Sequence, residues 1–419
     1  MNRTTLPSRL TFAALLVLGT GPATAEVTVL PSPAGDGSIA PNLSAAPDGR
    51  VLMSWIDKLG EGRHALRFAV REGERWSAPR LIAEGTDWFV NWADFPSIVA
   101  LPDGMLAAHW LVKSAAATYA YDVRIAFSGD GGAHWSAPIV PHRDGTPTEH
   151  GFVSLFPTRD GRLGAAWLDG RETLPAAGSG EETGGAMTLR YAIVGPGGEL
   201  GEEALLDARL CDCCQTAAAV TSEGPLVVFR DRSSAEVRDI ARVRLREGAW
   251  TDSQAIAEDH WEISGCPVNG PSVAADGRRA AVAWFTAAND APRVRVAFSA
   301  DAGASFGLPV TVDDGRPVGR VDTVLLEDGS AIVSWVESSP EGSSLRLRRI
   351  RPDGGRGEAV VVVPAGQPLA NGFPQMVRAG SELVLAWTAG RVRTAIVPVP
   401  DLPRQAPATP TASSLPQSR

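Results

Sequence analysis

Residues 50–57 read RVLMSWID, and the same shape returns six more times along the 419-residue chain. It recurs as MLAAHWLV (105–112), RLGAAWLD (162–169), PLVVFRDR (225–232), RAAVAWFT (279–286), SAIVSWVE (330–337) and ELVLAWTA (382–389). Each copy is an apolar strand that ends in an aromatic: Trp55, Trp110, Trp167, Phe229, Trp284, Trp335 and Trp387. A turn, often written DG, and another apolar strand precede it. A third strand follows, such as ALRFAVRE (65–72), VRIAFSG (123–129), RVRVAFSA (293–300) or LRLRRIRP (345–352), and usually a fourth. The aromatics stand roughly 50 to 60 residues apart, and four strands per unit at such a period is the pattern of an all-β propeller.

Seven aromatics predict seven four-stranded blades, with six as the alternative count. The last unit lacks an outer strand, and the N-terminal stretch EVTVLPS (26–32) offers an unpaired one. Pairing the two closes the ring and removes an exposed strand edge. The propeller is expected over residues 26–399.

Outside it, residues 1–25 have basic residues at Arg3 and Arg9, a short apolar run and small residues at Ala23 and Ala25. That is the pattern of a secretory signal peptide, which predicts a periplasmic or extracellular protein. Residues 400–419 are rich in Pro, Ser and Thr and read as a disordered tail. No segment approaches the roughly 20 apolar residues of a membrane span. The net charge of −9 argues against nucleic acid as a partner.

Two units carry a sharper turn, SGDGGAHW (128–135) and SADAGASF (299–306), both of the form S-x-D-x-G-x-x-W/F. Asp130 and Asp301 are placed to accept hydrogen bonds from turn N–H groups, Gly132 and Gly303 permit unusual backbone angles, and the aromatic packs beneath. Their role is structural. With these Asp boxes the chain resembles the sialidase superfamily and related bacterial neuraminidase-repeat propellers, over nearly all of its length. The resemblance implies a glycan ligand, three carboxylate-binding arginines, a tyrosine nucleophile paired with glutamate, and an aspartate acid/base. Several of these are missing. Ala40 stands before Pro41 where the family's first arginine is expected, and the only tyrosines are Tyr119, Tyr121 and Tyr191, none late in the chain. True sialidase activity is therefore not expected, and the family's six blades differ from the seven counted here.

Function on a propeller is expected around the channel mouth, on the loops that lead into each innermost strand. These are GTDWFVNWADFPS, HRDGTPTEHGF, LDARLCDCCQT, EDHWEISGCPVNGPS, DDGRPVGRVDT and AGQPLANGFPQ. Arg171, Arg232, Arg238 and Arg320 on this face suit an anionic group, because the planar guanidinium donates two parallel hydrogen bonds. Salt bridges between neighbouring loops are the alternative for the charges of RDRSSAEVRD. Glu149, Asp169 and Asp94 are the candidate acid/base residues, His150 a further ligand contact, and Trp92 and Trp261 stacking surfaces for a small-molecule or glycan ligand.

The four cysteines, Cys211, Cys213, Cys214 and Cys266, fall on two neighbouring lead-in loops. Three readings stand: two disulfides, in which Cys211 or Cys214 reaches Cys266 more easily than Cys213 bonds Cys214; a zinc or copper(I) centre with help from His260 or His150; or a redox pair at Cys211 and Cys214, which have C-x-x-C spacing. The two readings of function carried forward from a different class are a metal-handling envelope protein and a purely structural interaction propeller.

Overall fold

The structure, a computed structural model, describes residues 25–158, 160–174 and 185–402. The expected leader, but for Ala25, and the expected tail from residue 403 lie outside the described residues. Seven antiparallel sheets are arranged as blades. Blade 1 runs Ile39–Ala45, Val51–Gly60, Arg63–Glu72 and Arg80–Gly85. Blade 2 has Ser97–Ala100, Leu106–Lys113 and Tyr121–Ser128, with a single Ile125 to Ile139 bridge in the fourth position. Blades 3 to 6 begin at the innermost strands His150–Pro157, Ala217–Thr221, Ser272–Asp276 and Pro317–Leu325.

Blade 7 holds Gln375–Ala379, Glu382–Thr388 and Val392–Pro398, and its outer strand is Thr28–Leu30 from the other end of the chain, with Thr28 opposite Ile396. The ring closes as the orphan strand predicted. The folded part also runs past the expected boundary at 399, since Leu402 is 2% exposed and packs into the core of blades 6 and 7.

The second strand of each blade is pressed on both faces by neighbours, which is why it reads as an apolar run and not as an alternation. Leu163–Asp169 and Gly224–Arg230 are buried at every position. The seven repeat aromatics are 0–6% exposed. They fill clusters that each join consecutive blades, as Trp167 does between blades 2 and 3. Truncating one to alanine costs about 3–5 kcal/mol.

The two S-x-D-x-G turns hold as read. Asp130 accepts from the N–H groups of Ala133 and His134 at 3.0 Å, and Asp301 from Ser305 at 2.9 Å. Gly132 has φ +87° and lies so close to Phe68 of blade 1 that a Cβ would stand 2.2 Å from the ring. Each turn thus pins its blade to the preceding one, far from any chemistry. No helix among the described residues is long and apolar enough to cross a membrane.

Candidate functional site

Three innermost strands open with the same device. A register shift follows Ile39, Gly151 and Gly319, and a non-glycine residue in each bulge takes a left-handed backbone: Ala40 (φ 54°), Phe152 (φ 50°) and Arg320 (φ 56°). That conformation is uncommon for residues with a Cβ. In blade 6 the residue so placed is an arginine.

Hydrogen bonds tie the lead-in loops into a collar. The Gln215 amide donates to Ala93 O, and its Oε1 accepts from Gly270 N–H at 3.1 Å. The Asn269 Oδ1 accepts from Arg320 N–H at 2.8 Å, and Arg320 donates to Gly372 O at 3.0 Å. Beneath the collar a channel of about 320 Å³ is lined by polar groups of the innermost strands, among them Asn42, Ser154, Ser272 and Asp322.

Arg320 is the exception among the charges here. Its guanidinium lies 4.2 Å over the Trp92 ring and 5.1 Å from Phe373, which stack on each other at 6.2 Å. Among the described residues no carboxylate comes within ion-pair distance of it, and its Nε has no hydrogen-bond partner. Burial alone lowers its pKa. Trp92 remains 37% exposed.

Two residues along the same loop, Asp94 faces a different group. Tyr121 OH lies 3.1 Å from Asp94 Oδ2 and 2.6 Å from Glu149 Oε1. Phe152 N–H donates to Asp94 Oδ1 at 2.9 Å, and Phe89 stacks on Tyr121 at 3.9 Å. Burial pushes Asp94 up to about 8 and Glu149 up to about 7, against the hydrogen bond from Tyr121 that stabilises each carboxylate. Tyr121 is held well above its usual range, by burial first and then by the two carboxyls. Asp94 is 3% exposed and Tyr121 is fully buried, so only Glu149 of the three reaches the surface. Sequence reasoning placed Glu149 and Asp94 here, but Tyr121 was joined to them only by the structure.

The other predicted arginines are committed to the chain itself. Arg171 makes a two-pronged pair with Asp169 at 2.7 Å and reaches Glu203 at 2.7 Å. Asp169, fully buried, also accepts from the Trp167 indole at 2.8 Å. The same Trp-to-acid bond joins Trp55 to Asp57 at 2.8 Å. Asp169 and Arg171 are therefore corrected from acid/base and ligand contact to scaffold. Arg232 is clasped by Glu236 at 2.8 Å and Asp212 at 3.1 Å. Arg238 is 3% exposed, bonded to Glu236 at 2.8 Å and to Cys211 Sγ at 3.3 Å. Trp261 is corrected as well: it is 6% exposed, with Phe285 against its edge and Arg230 4.9 Å over its ring, and offers no surface for stacking.

Cys213 and Cys266 form a disulfide, with Cα atoms 6.1 Å apart. The expected partners of Cys266 were Cys211 or Cys214, but those two turn inward and are buried, leaving the intervening Cys213 to face the neighbouring loop. A disulfide sulfur is not a thiolate, so the four-cysteine metal centre is not formed. His260 does not join it either, since its side chain is 74% exposed and its nearest acid is Glu258 at 3.9 Å. Cys211 and Cys214 remain thiols with sulfurs 2.8 Å apart. The Cys214 thiol and the nearby Arg230 and Arg238 hold Cys211 low, whereas burial pushes Cys214 up.

A larger cleft of about 560 Å³ between blades 5 and 6 exposes Leu308 (92%), but of its lining only Arg279 and Asp353 carry charge. Arg320 and Trp92 instead adjoin the channel through Phe373, which lines it.

No family model matches the sequence, and no curated protein does. Among solved structures, the polysaccharide lyase Uly1 aligns with a TM-score of 0.51 and 9% identity over 87% of this chain and 91% of its own. An alpha-L-arabinanase of Penicillium chrysogenum aligns at 0.49, with 13% identity over 90% and 99%. The NanB sialidase of Streptococcus pneumoniae aligns at 0.45, with 12% identity over 88% and 70%. At these identities the likeness is one of fold.

Proposed function

We propose that this chain is a glycan-binding propeller that takes an anionic sugar at its channel mouth. Arg320 holds the acidic group, Trp92 offers a sugar-stacking face, and Glu149 presents a proton to a ligand oxygen. The observation that carries the reading is the half-buried Arg320, a cation with no counter-charge among the described residues, held on two aromatic rings beside a polar channel. An arginine left unpaired in a strained bulge suits a planar carboxylate or sulfate supplied from outside.

Glu149 suits proton donation because burial raises it to about 7, so a substantial fraction carries its proton near neutral pH. Asp94 and Tyr121 act through Glu149 as positioning residues, being too buried to meet a sugar. They do not form a pair of carboxyls flanking a glycosidic bond, as glycoside hydrolysis uses. The reading is thus of binding first, with one acid available to any bond-breaking step. That the fold is shared with a polysaccharide lyase agrees with a sugar ligand.

We also propose that the protein works outside the cytoplasm. The Cys213–Cys266 disulfide supports this, since such bonds persist in oxidising compartments.

The test is a binding screen of oligosaccharides bearing carboxylate or sulfate against their neutral counterparts. Wild type is expected to prefer the anionic set, Arg320→Ala to bind it at least tenfold more weakly, and Arg320→Lys to fall between. Equal binding of neutral sugars, or undiminished binding by Arg320→Ala, overturns the reading.

A further inference from the structure

The loop leading into blade 3 carries His142, Asp144 and His150 in the spacing H-x-D-x5-H. Both imidazoles are buried: His150 is fully enclosed and His142 is 6% exposed. Their rings stack at 3.8 Å and 4°. His142 Nδ1 and His150 Nε2 each stand 3.3 Å from the same oxygen, Asp144 Oδ1, and Asp169 Oδ2 is 3.7 Å from His150 Nε2. Asp144 Oδ1 makes no hydrogen bond, although Arg171 Nη2 is an ion-pair partner 3.2 Å away, and His150 Nε2 and His142 Nε2 make none either. Buried polar atoms without partners are rare and call for an explanation.

The geometry points to a divalent transition-metal ion, zinc first, bound by His142, Asp144 and His150, with Asp169 along the fourth edge. Ligand atoms about 2.0–2.1 Å from a tetrahedral ion stand about 3.3–3.4 Å from one another. The separations from Asp144 Oδ1 match co-ligands of one ion, and because the two rings lie parallel, one of them has to turn out of the stack for both lone pairs to meet at that point. The tautomer of His150 agrees. Its Nδ1 lies 3.2 Å from Tyr121 O, and a carbonyl can only accept, so Nδ1 carries a proton and Nε2 is the atom turned toward Asp144 and Asp169.

Asp122 stands behind the rings, 3.8 Å from His142 Nε2 and from His150 Nδ1. Charge is in deficit on the same side. The ion-paired cluster sets Asp122, Asp144, Asp169, Glu172 and Glu203 against Arg124, Arg171 and Arg190, besides the two imidazoles. Two imidazoles with carboxylates make a borderline donor set that favours zinc over calcium or magnesium. Such an ion would pin the loop whose next residue toward the channel mouth is Glu149. It is separate from the cysteines and from the Arg320 grip.

The test uses the full chain, treated with a chelator without reductant and then titrated with zinc chloride by calorimetry. Cobalt(II) absorption is recorded in parallel. One equivalent of zinc is expected, with a rise in Tm. His142→Ala and Asp144→Asn are each expected to weaken binding at least tenfold, and the double variant Cys211→Ser/Cys214→Ser to bind as wild type. The cobalt spectrum of wild type should show nitrogen and oxygen ligation with no sulfur charge-transfer band, a readout that stands even where a variant fails to fold. No zinc bound by wild type, a sulfur band, or binding lost in the cysteine variant and kept in the other two overturns the proposal. Arg320→Ala should bind zinc normally, which separates this result from the fate of the sugar-binding reading.

Discussion

Arg171 and Arg320 were equivalent on the page of sequence, two arginines on lead-in or connecting loops of the same face. In the fold they are opposites. Arg171 is caught between Asp169, Asp144 and Glu203, and its guanidinium is held as a firm cation by those bonds despite its burial. Arg320 touches rings and a carbonyl oxygen, and only desolvation acts on its charge. A guanidinium whose charge the chain already balances serves the fold, because removing it strands a buried carboxylate. One whose charge is left over is open to the charge of a ligand.

The comparison is sharpened first by stability. Arg171→Ala is expected to cost about 3 kcal/mol in urea unfolding, since the buried Asp169 then loses its two-pronged partner and keeps the Trp167 indole, while Glu203 keeps Arg190. An effect below about 1 kcal/mol breaks the comparison. Next comes Arg320→Ala, whose tenfold loss of anionic ligand corresponds to about 1.4 kcal/mol of binding and should come with little change in the urea midpoint. Arg232→Ala is smaller again. Its pairs with Glu236 and Asp212 are half-exposed, with side-chain exposures of 24%, 26% and 47%, so the loss of stability should stay below about 1 kcal/mol and fade in salt.

The fold was legible because burial writes itself into sequence. A strand pressed on both faces must be apolar throughout, and the repeat aromatics mark it seven times. Even the scaffold role of Asp169 had a trace, since Trp-x-Asp occurs at 55–57 and again at 167–169, and the indole N–H needs an acceptor in a dry interior. The site was only half legible. Glu149 and Asp94 could be read as mouth residues, and the pairing of Arg232 with Glu236 lay within the salt-bridge alternative for its own stretch, but the seat of Arg320 depends on Trp92, from the loop into blade 2, meeting Phe373, from the loop into blade 7. The choice of Cys213 over its two neighbours likewise follows from the direction each side chain takes in a tight loop, which spacing does not encode. His142 and Asp144 were within reach: H-x-D-x5-H on one loop was a signal in its own right.

Asp94 is the acidic counterpart of Arg320, a buried group with no opposite charge beside it, and it answers the problem differently. An arginine cannot shed its proton at any ordinary pH, whereas a carboxyl can keep one. Burial holds Asp94 up to about 8, with the nearby Glu149 adding to the shift, compared with 3.8 in the unfolded chain. Between those values the folded form binds the extra proton, so stability falls as pH rises through the window and levels off above it. Because Tyr121 joins the two carboxyls, the titration belongs to the pair. Asp94→Asn mimics the protonated acid and keeps the bond to Phe152 N–H, so its effect should be smallest near pH 3, below the unfolded-chain value. From about pH 4 upward the variant should hold its Tm while wild type declines, the gap widening to about pH 8 and then levelling off. Parallel pH profiles would mean that Asp94 is ionised and balanced by a cation after all, and the contrast drawn between paired and unpaired charges would lose its acidic half.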